Sequence, residues 1–175
     1  STADDGLHTS GPTYGVALVS RFPVLDWRVR RFAPAPVALP LLVPGGKGFM
    51  SVDDEPRVAI AAVVDGPRGP MTVVTAHLSF VPGWNVAQLR WLARWARSFP
   101  GPRFIAGDFN LPGALPGVTT RWAQLARAAT YPSYRPRVQF DHVLADGIAA
   151  SAVRGSQAMR LPVSDHCALV VDLDL

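Results

Sequence analysis

Cysteine occurs once, at Cys167, lysine once, at Lys47, and glutamate once, at Glu55. A single cysteine excludes an internal disulfide, and with it a small disulfide-stapled scaffold, but it says little about compartment. No apolar run approaches the roughly 18 residues that a membrane-crossing helix needs. The longest, Val37 to Val43, is interrupted by Pro40 and followed by Pro44-Gly45-Gly46. A basic-then-apolar leader is also missing at Ser1, so a cytoplasmic location is the expectation. Without low-complexity tracts or internal repeats, a chain of 175 residues that is 49% hydrophobic reads as one globular domain. The scarcity of lysine also qualifies the charge. Net charge is +4, which favours anionic partners such as phosphate esters, yet all but one of the 17 basic residues are arginine. That bias, with abundant Ala, Gly and Pro, is what GC-rich coding produces, so basicity alone does not argue for nucleic-acid binding.

Residues 1–13 are polar and read as a tail. Tyr14 to Ser20 is a short apolar run with β-branched residues and predicts a buried strand, ended by Arg21-Phe22-Pro23. Asp26 to Phe32 alternates crudely and predicts an edge strand, and the Pro- and Gly-rich stretch Pro34 to Glu55 a long loop. Arg57 to Val64 and Met71 to His77, separated by a Gly/Pro cluster, predict a hairpin. Asn85 to Phe99 is the strongest helix, with Leu89, Leu92, Ala96 and Phe99 in one stripe, Asn85 as its cap and Pro100-Gly101 as its stop. A short strand Arg103 to Ala106, a second helix Thr119 to Ala129, and strands Val138 to Ala145 and Cys167 to Leu173 follow. Strands with helices inserted between them predict a layered α/β fold.

Polar clusters stand at the ends of these strands: Thr75-Ala76-His77-Leu78, Gly107-Asp108-Phe109-Asn110, Phe140-Asp141-His142 and Ser164-Asp165-His166. A charge directly after a buried apolar run costs free energy unless something pairs with it, and a metal ion or a phosphate would do so. Taken singly, each cluster is a common chance pattern, and a histidine after a strand is more often structural than functional. Phosphodiester hydrolysis needs an activated water, a cation on the developing charge and donors to the phosphoryl oxygens. Asp108 can serve as a hard oxygen ligand or a water-orienting base, and Asn110, two residues on, as an amide donor. His166 can act on water or phosphate, provided that a carboxylate fixes its tautomer.

Together and in order, these motifs resemble the signature of the endonuclease/exonuclease/phosphatase superfamily. Its members include pancreatic deoxyribonuclease, abasic-site endonucleases, neutral sphingomyelinases and inositol-polyphosphate phosphatases. Tyr14-Gly15-Val16-Ala17, Ser20-Arg21-Phe22-Pro23 and Gln88-Leu89 also fit its pattern, so the resemblance runs from about Gly6 to Leu175. It implies a layered β-sandwich flanked by helices, the deoxyribonuclease-like four-layer fold. By the resemblance, Asp141 is the partner of His166, Asp165 a metal ligand beside Asp108, and His77 a second histidine that contacts the phosphoryl group. Magnesium, with manganese as a substitute, suits carboxylates, waters and a substrate phosphate. The implied activity is Mg-dependent phosphoester hydrolysis, nuclease-like in the first instance. A lipid or sugar-phosphate phosphatase, and an inactive phosphate-binding remnant, are the alternatives, because fold and site do not choose the substrate.

The pattern departs from the family in two places. The family's earlier strand ending in Asn, and the next one carrying a metal-ligating Glu, have no counterpart here, so the chain is expected to be incomplete at its N-terminus. Asp4, Asp5 and Glu55 are not read as replacements. Cys167 stands where members often carry Arg. Weak magnesium binding is therefore expected, along with an uncovered sheet that invites dimerisation or pairing with the missing segment. His77, Asp108, Asn110, Asp141, Asp165 and His166 should nevertheless converge on one patch, with His166 in hydrogen-bond reach of Asp141.

Overall fold

The computed structural model describes residues 15–42 and 49–175. Its elements are β1 (Val24–Phe32), β2 (Leu39–Leu42), β3 (Phe49–Val52), β4 (Arg57–Gly66), β5 (Gly69–Ala76), α1 (Trp84–Ala96), β6 (Arg103–Asp108), α2 (Leu115–Thr120), β7 (Ala123–Gln124), β8 (Asp141–Asp146), β9 (Val153–Arg160) and β10 (Cys167–Leu173). Six strands form one sheet in the order β1-β4-β5-β6-β8-β7. Within it only β5 and β6 run parallel, as expected where a helix makes the crossover. β9 and β10 form a separate antiparallel pair, and β2 with β3 a small hairpin.

The two-residue period of the strands sorts side chains into two cores. Ala59, Ala61, Val74, Ala76, Ile105 and Leu144 point to one face, where Leu89, Leu92, Ala93 and Ala96 of α1 cover them. Ala62, Val64, Met71, Phe104 and Ala145 point to the other, against Val153, Val171 and Leu173 of the β9–β10 pair. The layers are thus helix, sheet and sheet, the α/β sandwich that the strand pattern predicts.

Several expectations need correction. Gly15–Ser20 is not a strand: it pairs with no described neighbour, and Val19 is 96% exposed, although partial burial alternates along it; Tyr14 lies outside the described residues. The loop Pro34 to Glu55 contains the β2–β3 hairpin. The second helix is α2, earlier and shorter than Thr119 to Ala129. Arg121 takes a left-handed conformation at φ 61°, and Thr120 Oγ1 accepts the Trp122 N–H, so the chain leaves the helix and enters β7. α1 starts one residue before Asn85 and is not capped by it. β9 was not anticipated, because its Gly155-Ser156-Gln157 centre carries little β-propensity and is paired only through tertiary contact with β10. Among the described residues no helix is long and apolar enough to cross a membrane.

Gly107 fixes the meeting of β5 and β6. Its φ is 141°, and a Cβ there would run into the Ala76 carbonyl oxygen. Gly107→Ala is expected to cost about 3 kcal/mol or more by chemical denaturation. A change within about 0.5 kcal/mol would show that this approach is not tight.

Candidate active site

Strand direction and side-chain parity explain the convergence. β5 and β6 are parallel and end at the same edge, while antiparallel β8 begins there, with Asp108 opposite Asp141. His77 continues the parity of Val73, Asp108 that of Phe104, and Asp141 that of Val143, all on the face toward the β9–β10 pair. The loop entering β10 carries Ser164, Asp165 and His166 to the same end. A cavity of about 780 Å³ opens there, and its lining includes His77, Asp108, Asn110, Asp141, Asp165 and His166. All six candidate residues are therefore brought together.

His166 Nδ1 lies 2.7 Å from Asp141 Oδ2, and its Nε2 lies 3.9 Å from Asp108 Oδ2. The short contact fits Nδ1–H donating to the carboxylate and leaves Nε2 facing the cavity. The Tyr131 ring packs against this imidazole, with centroids 4.8 Å apart. His77 Nε2 lies 3.6 Å from Asp108 Oδ2. The Asn110 backbone N–H donates to Asp108 Oδ1 at 2.8 Å, closing a local turn in which Asn110 takes φ 50°. Its amide Nδ2 donates to the Leu78 carbonyl at 3.0 Å and lies 3.4 Å from His77 Nε2.

Two buried amides on α1 support these loops. Asn85 donates to the Asn110 carbonyl at 2.9 Å, and Gln88 accepts the Ser79 N–H at 2.7 Å, just past His77. Asn85 thus holds the loop that carries Asn110 rather than capping the helix. On the same helix Trp91 is 39% exposed and stands edge-on to Trp84. His142, one residue from Asp141, has the opposite parity and is buried, with Nε2 2.8 Å from the Leu111 carbonyl and its ring stacked on Phe109.

Burial pushes the Asp108 carboxyl above its ordinary range, against the pull of the Asn110 N–H and His77. Burial likewise lowers His77, with Asp108 opposing. For His166 burial also acts downward, but the hydrogen bond and charge of Asp141, helped by Asp108 and Asp165, outweigh it and raise the imidazole.

Ligand atoms of Asp108, Asp141 and His166 lie within 4.8 Å of one another, a group that could hold a metal ion. Asp165, the expected second ligand, lines the same cavity with an exposed side chain and stands outside that group. A desolvated Asp108 beside further carboxylates is a donor set that a hard divalent cation fits.

Sequence reasoning set Glu55 aside as a metal ligand and did not weigh Arg57. Glu55, the one glutamate of the chain, lines the cavity. Arg57 is 8% exposed and lines it too. Its Nη2 is 3.4 Å from the fully buried Asp54 carboxylate, while its Nε has no partner among the described residues. The signal was Glu55-Pro56-Arg57 at the head of a buried strand, hidden by its place at the end of a Pro-rich stretch.

The model for the "Endonuclease/Exonuclease/phosphatase family" matches residues 2–166. The chain belongs to this family. A comparison with curated proteins gives no match. Among solved structures, a family member from Bacteroides thetaiotaomicron is 14% identical with a TM-score of 0.55, over 86% of this chain and 64% of that one. A mannosyl-6-phosphatase of the same species is 14% identical with a TM-score of 0.55, over 88% and 67%. D. rerio TDP2 complexed with single-strand DNA product is 16% identical with a TM-score of 0.50, over 82% and 68%. The chain thus spans about two-thirds of the length of these structures. At such identities the likeness carries the fold, which is the family's layered α/β sandwich, and not the substrate.

His142 gives the site a pH signature in stability. Burial holds its folded pKa below the ordinary 6.5, so the unfolded chain takes up a proton first as pH falls. Stability should be full above 6.5 and decline as pH falls below it toward the lowered folded pKa. Urea denaturation of His142→Gln should show a shallower decline over that window than the parent. An identical slope would mean that His142 is not the group responsible.

Proposed function

We propose that this chain carries the phosphoester-hydrolysing centre of a divalent-metal-dependent hydrolase, nuclease-like in acting on phosphodiesters. The observation that carries the reading is the His166–Asp141 hydrogen bond at 2.7 Å, set beside Asp108 at the common end of three strands. Asp141 holds His166 in the tautomer whose Nε2 can take a proton from water or stabilise the phosphoryl group. His77 lies beside the same Asp108 oxygen as His166, and Asn110 lies beside His77, where both can donate to phosphoryl oxygens. Asp108 with Asp165 would hold magnesium or manganese, which supplies a cation for the developing charge and a more acidic water. The net charge of +4 favours an anionic substrate such as a phosphate ester, without selecting nucleic acid.

A second reading, a phosphatase of sugar or lipid monoesters, is favoured by one observation. Among the described residues Arg57 is the only Arg or Lys that lines the cavity, and its Nε is unpartnered. A planar, permanently charged fork suits a dianionic terminal phosphate.

In the intact protein, Asp108→Ala and His166→Ala are each expected to lose about 10²–10⁴-fold in kcat on bis-p-nitrophenyl phosphate while remaining folded. Chelation of divalent metal should abolish turnover, and magnesium or manganese should restore it. Rates near the parent's in either variant would count against the reading. Arg57→Ala should raise KM about tenfold or more. A larger loss on p-nitrophenyl phosphate than on the diester favours the monoesterase, and equal losses the nuclease-like enzyme.

A further inference from the structure

The His166–Asp141 pair spans two sheets. Asp141 begins β8 in the six-stranded sheet, while His166 immediately precedes β10 in the two-stranded one, and no ladder joins β8 to β10. A contact of 2.7 Å between groups on separate sheets needs a third element to set their spacing. The segment Thr130-Tyr131-Pro132-Ser133 bonds to both. The Thr130 carbonyl accepts the Cys167 N–H at 2.7 Å, and the Ser133 N–H donates to the Asp165 carbonyl at 2.6 Å. The Ser133 hydroxyl donates to the Ser164 carbonyl at 2.9 Å. Toward β8, the Thr130 hydroxyl oxygen accepts the backbone N–H groups of Phe140 at 3.2 Å and Asp141 at 3.3 Å. The backbone Thr130 N–H and Tyr131 N–H both donate to the Val138 carbonyl, closing the same segment onto the approach to β8.

Thr130 is the residue on which both halves meet, and it is fully buried. We propose that Thr130 is the positioning residue of the site: its carbonyl fixes the loop that carries His166, and its hydroxyl fixes the backbone of Asp141. The inference rests on the reading of His166 as a working group of a hydrolase. Thr130 itself touches neither imidazole nor substrate and acts through the two backbones that it joins. A buried hydroxyl that accepts from two N–H groups is costly to remove, because both donors are left unmet. Misplacement of a catalytic pair by a fraction of an ångström lowers rate more than binding.

Thr130→Val keeps the branched shape and removes the hydroxyl, whereas Thr130→Ser keeps the hydroxyl. Two quantities are read on the intact chain: the downfield proton resonance of an imidazole N–H donated to a carboxylate, without substrate, and kcat and KM on bis-p-nitrophenyl phosphate. In folded Thr130→Val the resonance should shift or vanish and kcat should fall about 10- to 100-fold with KM little changed. Thr130→Ser should retain both properties. A folded Thr130→Val with the parent's resonance and kcat overturns the proposal, as does a Thr130→Ser as impaired as Thr130→Val. Should Thr130→Val not fold, Thr130→Ala and Thr130→Ser are compared instead: the resonance should move in the first and stay in the second, and a resonance alike in both overturns the proposal. Because the resonance is independent of turnover, a resonance that moves in Thr130→Val while the parent hydrolyses nothing counts against the hydrolase reading and leaves the positioning role standing.

Discussion

Asp141 and His166 meet across a gap that no backbone ladder closes, and the architecture around the site serves that meeting. Antiparallel entry of β8 sets Asp141 against Asp108, and the apolar packing of Val153, Val171 and Leu173 on the far face of the main sheet brings β10 close enough for its leading loop to reach the same edge. Without burial of that second core the imidazole would have no carboxylate to hold it. The interaction is charge-assisted when His166 is protonated, and the raised imidazole is the electrostatic trace of three neighbouring aspartates. The interface of the two sheets thus holds both the second core and the His166–Asp141 contact.

The balance of charge at the cavity follows from the same geometry. Burial and crowding work against ionised Asp108, and His77 offsets this only in part, because its own charge is disfavoured by burial. A group of carboxylates in this condition is one that a cation would satisfy, and Arg57, His77 and Asn110 line the same cavity. The fold forms this edge where β5, β6 and β8 meet and the loop into β10 arrives, and fold alone does not choose a substrate.

Much of this was legible in the chain. Strand ends reading VVTAH and FIAGD announce a polar group after a buried run, and the hairpin of Arg57–Val64 with Met71–His77 followed from alternation and a Gly/Pro turn. The order His77, Asp108, Asn110, Asp141, Asp165, His166 carried the family. Other parts were settled by tertiary context. β9 has weak local propensity, Gly15–Ser20 has the composition of a strand without a described partner, and the register between Thr119 and Ala129 turns on one left-handed residue, Arg121. Arg57 escaped notice because an arginine at the head of a strand looks like any solvated charge until its burial and its unpartnered Nε are seen.

The most direct test of the central claim is the position of a cation and a phosphate in crystals of the chain grown with manganese and inorganic phosphate, with manganese located by anomalous scattering. The account predicts one metal peak at about 2.1 Å from an Asp108 carboxylate oxygen, close to the coordination distance of magnesium. It further predicts a phosphate in the cavity within hydrogen-bond reach of His166 Nε2 and of Asn110, His77 or Arg57. Manganese bound elsewhere with phosphate absent from this cavity would contradict it.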